Sequence, residues 1–413
     1  MEPPGAGRHG LAVRLAAGLS PRGPARGARP ARPFHRARAR TGTVTRYTAA
    51  TRFDHAAPSR TAVLLLQLGT PDEPTPGALR RYLREFLSDP RVVEIPRVAW
   101  LPILHGIILR TRPSKSARKY ASIWSDEGSP LMVHTRRQAT LLRGALGARG
   151  HDLEVAFAMR YGNPSIAAVL RELRERNVTR LLALPLYPQY AGSTTATAFD
   201  ALARELAGWR NLPELRVVRD FHDHDGYLDA LVAGVRRAWE RDGRGERLVM
   251  SFHGVPRRTL ALGDPYHCEC LATGRLLAER LGLRAGDWVV TFQSRFGRAE
   301  WLQPYTEPTL RELARSGVRS VDVICPGFVA DCLETLEEIA VEGRQAFVES
   351  GGQAFRYIEC LNESPPFIGA LASLAEQHLS GWATRRLDDA ATAARAQALA
   401  ERGRRAKALG ADR

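Results

Sequence analysis

The chain has 413 residues, 44% of them hydrophobic, and a formal net charge of +16. That charge is lopsided: residues 1–60 hold twelve Arg against Glu2 and Asp54, a net +10, which leaves +6 on the other 353 residues. The body is only mildly basic and offers no broad phosphate-binding footprint, no apolar run nears the ~18 residues of a membrane span, and an odd set of five cysteines fits free thiols rather than a disulfide framework.

Residues 1–58 are rich in Arg, Ala, Gly and Pro and cannot bury a core, so they are expected to be disordered. Their acid-poor, Arg-rich character suits organelle import. The scarcity of serine and the lack of a clean amphipathic helix favour a dispensable extension and a cytoplasmic protein. The run "TAVLLLQLGTP" (61–71) follows, the near-continuous apolar pattern of a strand buried on both faces of a parallel sheet. "WLPILHGIIL" (100–109) reads as a buried helix end or as an apolar lip for a membrane or a greasy ligand, and "RTRPSKSARKYASIWSDEGSPL" (110–131) as a basic, then turn-like, loop. "LEVAFAMRYG" (153–162), "VTRLLALPLYP" (178–188) and "ELRVVRDF" (214–221) are further strands with helical segments between.

The second half repeats the theme. "RLVMSFHGVP" (247–256) echoes the first strand, "DWVVTFQSRFG" (287–297) the second and "VRSVDVICPGF" (318–328) the third; "AFRYIECL" (354–361) completes the set. The expected fold is α/β: two similar Rossmann-like lobes, 59–230 and 231–380, each a parallel sheet flanked by helices, with an active cleft between them and an Ala/Arg-rich tail at 381–413. Ligands in such sheets lie beyond the carboxyl ends of the strands.

At one such end stands His253, followed by Gly254. It is either satisfied by a nearby carbonyl or free to take a proton or ligate a metal. In "VADCLETLEEIAVEGR" (329–344), Glu334, Glu338 and Glu342 recur at helical spacing, with Asp331 at the start of the same ridge and Glu337 off it. The ridge is either a solvated acidic face or a path for a hydrated cation. Arg112 and Lys115 are candidate carboxylate ligands, and Arg160 and Tyr161 mark another strand end. The lone C-x-C of Cys268 and Cys270 lacks a partner pair at zinc-site spacing. No G-x-G-x-x-G follows the first strand, which disfavours a dinucleotide oxidoreductase; a two-lobed binding protein for an anion remains a competing reading.

Taken together, "LLLQLGTP", "YLREFLSDPRVVEIP", "RYGNPS", "LPLYPQYAGSTT", "SFHGVP", "GDPYHCEC", "TFQSRFGRAEWLQPYT" and "CPGFVADCLETLEEI" resemble ferrochelatase, most closely its proteobacterial branch, over about 61–375. The resemblance implies a chelatase-like fold and a lyase that inserts Fe²⁺ into protoporphyrin IX or coproporphyrin III with release of two protons, giving haem. It implies that His253 and Glu334 are catalytic and that His253, Glu334, Asp331, Glu338 and Glu342 meet the metal. Arg112, Lys115, Tyr120, Ser129, Arg160 and Tyr161 are implied porphyrin contacts. The imidazole and the carboxylate are expected to face each other across the gap between lobes. Iron is expected as substrate, with no permanently bound cofactor. Animal members hold an iron–sulfur cluster through C-terminal cysteines and a second histidine two residues before the acid; here no cysteine follows Cys360, and Cys332 takes the histidine's place. The expected partners are porphyrin and ferrous iron, with a monomer, peripheral membrane contact and no nucleic acid. A cobalt or nickel chelatase is the related alternative.

Overall fold

The computed structural model describes residues 47–48, 54–297 and 299–411; the expectation for 1–58 falls almost wholly outside them. Eight strands form two four-stranded parallel sheets. The first contains β1 (Arg60–Thr70), β2 (Glu154–Gly162), β3 (Val178–Pro185) and β4 (Glu214–Val217), in the order β2-β1-β3-β4. The second contains β5 (Arg247–His253), β6 (Trp288–Gln293), β7 (Ser320–Ile324) and β8 (Ala354–Ile358), in the order β6-β5-β7-β8. The two orders are the same permutation, so the repeated strand ends reflect a repeated topology.

The repeat extends to the loops. After β2 the chain turns back so that Met159 N–H donates to Pro164 O at 2.7 Å; after β6, Phe292 N–H donates to Pro304 O at 2.8 Å. Gln67 lies opposite Met159 and Phe252 opposite Phe292. This register makes Leu68 the structural counterpart of His253, and Gly69 the counterpart of Gly254.

The lobes are not separable beads. The expected boundary at 230/231 falls inside the helix Asp225–Asp242. The helix Pro365–Leu379, late in the chain, packs on that helix and also on Pro130–Ala148 of the first lobe. The largest apolar cluster accordingly mixes Leu65 and Leu184 with Met250, Phe252, Phe367 and Leu371. Burial of this shared apolar surface, at roughly 25 cal/mol per Å², couples the two sheets.

One further expectation changes. Residues 109–123 are a helix rather than a basic loop. Pro113 reads as a breaker, yet Leu109, Pro113, Ala117 and Tyr120 form one buried helical stripe, and that packing overrides the local preference. The tail forms the helix Asp389–Ala408, whose N-cap Asp388 accepts from Ala391 N–H at 2.7 Å. It lies against the segment leading into β1, where Arg395 donates to Ser59 O at 3.0 Å and Arg402 to Ala57 O at 2.9 Å.

Candidate active site

The second sheet places an imidazole at its central strand end. His253 Nδ1 lies 2.6 Å from Gly254 O. A carbonyl can only accept, so Nδ1 carries the proton and Nε2 of the neutral ring keeps a lone pair. The two sequence alternatives are thus compatible: one nitrogen is satisfied by a carbonyl and the other stays available. Glycine is required at 254, because a Cβ there would stand 2.7 Å from Gln293 O, where Gly254 N–H donates at 2.7 Å. The Phe328 ring lies beside the imidazole, centroids 6.4 Å apart.

The acidic segment after β7 reaches the same place, but not as one helical ridge. A short helix, Leu333–Leu336, passes into a π-helical stretch, Glu338–Gly343. Glu342 N–H donates to Glu337 O at 3.0 Å, five residues back. This wider turn brings Glu342 over Glu337 rather than over Glu338. The two share Lys119 of the helix Leu109–Ile123, at 2.7 and 2.8 Å. The expected row of Glu334, Glu338 and Glu342 is therefore broken. Glu342 is an exposed clamp residue, and Glu337, expected off the ridge, joins it.

Glu338 is the carboxylate held in the site. It accepts from Ser294 N–H at 2.7 Å and from the Ser294 hydroxyl. Burial pushes its carboxyl above the ordinary range; the Ser294 hydrogen bond and His253 oppose this, and Glu334 reinforces it. Ser294 takes a left-handed backbone, φ 64°, to present both donors. The Glu334 carbonyl accepts from Gln293 Nε2 at 2.7 Å, and Gln293 Oε1 accepts from Ser251 at 2.8 Å inside the sheet.

Glu334 looks toward the first lobe. Burial raises the phenols of Tyr82 and Tyr120 well above their ordinary value, and the Glu334 charge adds to both. Leu333 packs with Tyr82, Tyr120 and Tyr161, so the acidic segment and the first lobe's aromatic wall are in contact. His253 and Glu334 both belong to the second sheet's end, because β5 and β7 are neighbours, and tyrosines of the first lobe stand opposite Glu334.

The remaining predicted residues divide. Asp331, expected as a metal contact, is buried and accepts from Tyr357 Oη (2.5 Å), Asn362 Nδ2 (2.7 Å) and Thr335 Oγ1 (2.9 Å). Both its oxygens are occupied, so it anchors the turn that aims Glu334. Ser129 stands at the N-cap position of the helix Pro130–Ala148 without a side-chain capping bond; its Oγ instead accepts from Thr70 at 2.8 Å, fixing the end of β1. Arg112 lies over the Phe296 ring, 4.4 Å from its centroid, at the mouth, and Lys115 is exposed on the same helix. Arg160 and Tyr161 were expected against the porphyrin. Tyr161 is fully buried, and its hydroxyl donates to Asp89 at 3.0 Å; Arg160 pairs with Asp89 and donates to Thr197. Arg160 lines a cavity of about 740 Å³ with Arg81, Arg84 and Arg204, which none of His253, Glu334 or Glu338 touches. Tyr82, Lys119, Ser294 and Asp89 were missed. Only Ser294, inside "FQSRFGR", lay within a segment whose strand-end position marked it.

Comparison with known proteins identifies the family. The Ferrochelatase family pattern matches residues 60–379. A ferrochelatase of Polaromonas sp. is 60% identical over 358 residues, covering 87% of this chain and 96% of that protein. A ferrochelatase of Dechloromonas aromatica is 62% identical over 334 residues, covering 80% and 91%. Among solved structures, SirB from Bacillus subtilis with Fe³⁺ aligns at TM-score 0.47 and 12% identity over 79% of this chain and 100% of that one. The chain belongs to the ferrochelatase family, the lyase-class metal chelatases that insert ferrous iron into a porphyrin to give haem.

Proposed function

We propose that the end of the second sheet is where iron enters the porphyrin, with His253 and Glu334 as the catalytic pair and Glu338 as the proton outlet. The observation that carries this reading is the His253 ring itself. Its Nδ1 is committed to Gly254 O, which leaves the Nε2 lone pair available, and the ring interacts electrostatically with the half-buried Glu338 carboxylate. Iron insertion displaces two pyrrole protons. The imidazole takes the first at Nε2, hands it to Glu338 and then takes the second at the same nitrogen. Glu338, raised by burial and bridged electrostatically to both His253 and Glu334, passes protons outward. Glu334, set between Glu338 and the tyrosine wall, guides Fe²⁺ as substrate; imidazole and carboxylate both suit that ion. Asp331 and Glu342 act on this path through position and clamping.

Arg112 and Lys115 are the proposed partners of the porphyrin carboxylates, with Lys119 beside them and Tyr120 forming the wall. The contacts of Lys119 with Glu337 and Glu342, and of Arg112 with Phe296, span the mouth. Porphyrin carboxylates compete for these cations as the macrocycle enters. Among the described residues no helix is long and apolar enough to cross a membrane. The stretch Arg97–Ile108 exposes Val98, Ile103 and Ile107 while burying Trp100 and Leu104, which supports peripheral membrane contact. Anaerobic incubation with Fe²⁺ and either protoporphyrin or coproporphyrin, followed through the Soret band, tests the reading. Metalloporphyrin formation with at least one of them is expected; none with either overturns it.

A further inference from the structure

A second group of metal-ligating side chains lies where the loop after β4 of the first lobe meets the helix Tyr266–Leu281 of the second. Asp220 and His222 follow β4, and Glu269 sits in the first turn of that helix. These are the three residues whose ligand atoms all lie within 4.8 Å of one another among the described residues. His222 Nδ1 is 3.1 Å from Asp220 Oδ1 and 3.7 Å from Glu269 Oε2. Two donors bound at ~2.0–2.1 Å around a tetrahedral ion stand about 3.3 Å apart, so this spacing already fits a common ion.

The outer shell is built as well. Arg219 engages the other oxygens, Asp220 Oδ2 and, at 3.3 Å, Glu269 Oε1, leaving Oδ1 and Oε2 turned inward. The Arg219 guanidinium is steadied over the Tyr190 ring, 4.4 Å from its centroid. Glu269 is buried, and its Oε2 also accepts from Tyr190 N–H at 2.6 Å, which fixes that oxygen beside His222 and leaves its second lone pair for an ion. The His222 backbone is fixed by Thr273 Oγ1, which donates to its carbonyl at 2.9 Å, and Thr273 in turn accepts from Gln189 Nε2 at 2.9 Å. Second-shell contacts of this kind orient ligating carboxylates and imidazoles. None of these residues belongs to the proposed iron-insertion site.

We propose that Asp220, His222 and Glu269 form a second metal site, taking one divalent first-row transition ion and tying the β4 loop of the first lobe to the Tyr266–Leu281 helix of the second. One nitrogen and two carboxylate oxygens suit such an ion better than Mg²⁺ or Ca²⁺, which favour all-oxygen shells. His222 and Asp220 are partly exposed, so solvent completes the coordination. The inference does not rest on the assignment of iron insertion.

The test uses the full chain stripped of metal by a chelator, with Co²⁺ as the probe at pH 7.5. Equilibrium dialysis, d–d absorption and thermal unfolding are read for the unmodified chain, His222→Ala, Glu269→Gln and His253→Ala. The unmodified chain and His253→Ala are expected to show a saturable site with a Co²⁺ spectrum and a Co²⁺-dependent rise in Tm. His222→Ala, with Glu269 and its Tyr190 anchor intact, should bind there at least ~100-fold more weakly and lose that rise. If Glu269→Gln does not fold, His222→Ala alone decides. Equal Co²⁺ affinity in His222→Ala and the unmodified chain overturns the proposal, as does Co²⁺ binding that disappears entirely in His253→Ala.

Discussion

β1 and β5 hold the same place in two sheets of the same strand order, and they end differently. In β1 the chain reaches Leu68 and Gly69; in β5 it reaches His253 and Gly254. Both glycines are forced by close approach: a Cβ at Gly69 would fall 1.8 Å from Tyr161 O, and one at Gly254 2.7 Å from Gln293 O. Both glycine carbonyls accept a side-chain hydrogen bond. Gly69 O takes Tyr82 Oη at 3.1 Å, and Gly254 O lies 2.6 Å from His253 Nδ1. The scaffold is therefore shared down to the carbonyl, and the chemistry is not. One lobe spends this position on an aromatic wall, with Leu68 packed beside Tyr82, Tyr120 and Leu333. The other spends it on an imidazole beside two carboxylates. A duplicated fold needs one reactive strand end; its twin supplies shape.

The sharpest way to break this comparison is to exchange the two residues. Leu68→His with His253→Leu should abolish iron insertion, a loss of ~10²–10⁴-fold in kcat, because the transplanted ring meets tyrosines instead of Glu338. Recovery of turnover by the exchange, measured as Soret change under Fe²⁺, would show that the lobes are chemically equivalent. Next comes Asp331→Ala, which strands three donors, Thr335 buried and Tyr357 and Asn362 half-buried, and should cost about 3 kcal/mol in denaturant unfolding, with the KM for iron unchanged in the folded fraction. A raised iron KM at full stability would restore Asp331 as a ligand.

Glu338→Gln should act in the opposite sense on stability. Burial raises the folded-state pKa of Glu338 above its ordinary value of 4.5. Its neutral form is thus favoured in the fold, and stability falls as pH rises from about 4.5 through the folded value. The amide should therefore raise stability at pH 7, a gain that fades as pH falls toward 4.5, while slowing catalysis. A Tm difference that does not depend on pH would place the effect elsewhere. Smallest is Lys119→Ala. The lysine side chain is 44% exposed, so the clamp contributes only about 0–1 kcal/mol. The expected change is in porphyrin KM and its salt dependence, not in kcat.

How much of this was legible in the sequence follows from the kind of interaction involved. Parallel strands buried on both faces write themselves as apolar runs, so the sheets and their repetition, and with them His253 at a strand end, could be read directly. The acidic segment could not. Its i, i+4, i+8 spacing assumes an α-helix, and a single π turn re-pairs Glu342 with Glu337 and hands both to Lys119, 218 residues or more away in sequence. Asp331 looks like a ridge acid until Tyr357 and Asn362 fold over it. Arg160 and Tyr161 sit at a strand end as expected, yet Asp89, which arrives from the loop after the helix Pro76–Leu87, claims both. Local spacing encodes the frame; partners distant in sequence decide which polar groups stay free.

The central claim is that proton acceptance resides on one ring nitrogen in the second lobe. It is tested most directly by measuring, for His253→Ala side by side, the porphyrin Kd by fluorescence and the anaerobic rate of Fe²⁺ insertion. The account predicts a Kd near that of the unmodified chain and a rate lower by ~10²-fold or more. A rate within about twofold of the unmodified chain at equal porphyrin occupancy would contradict it.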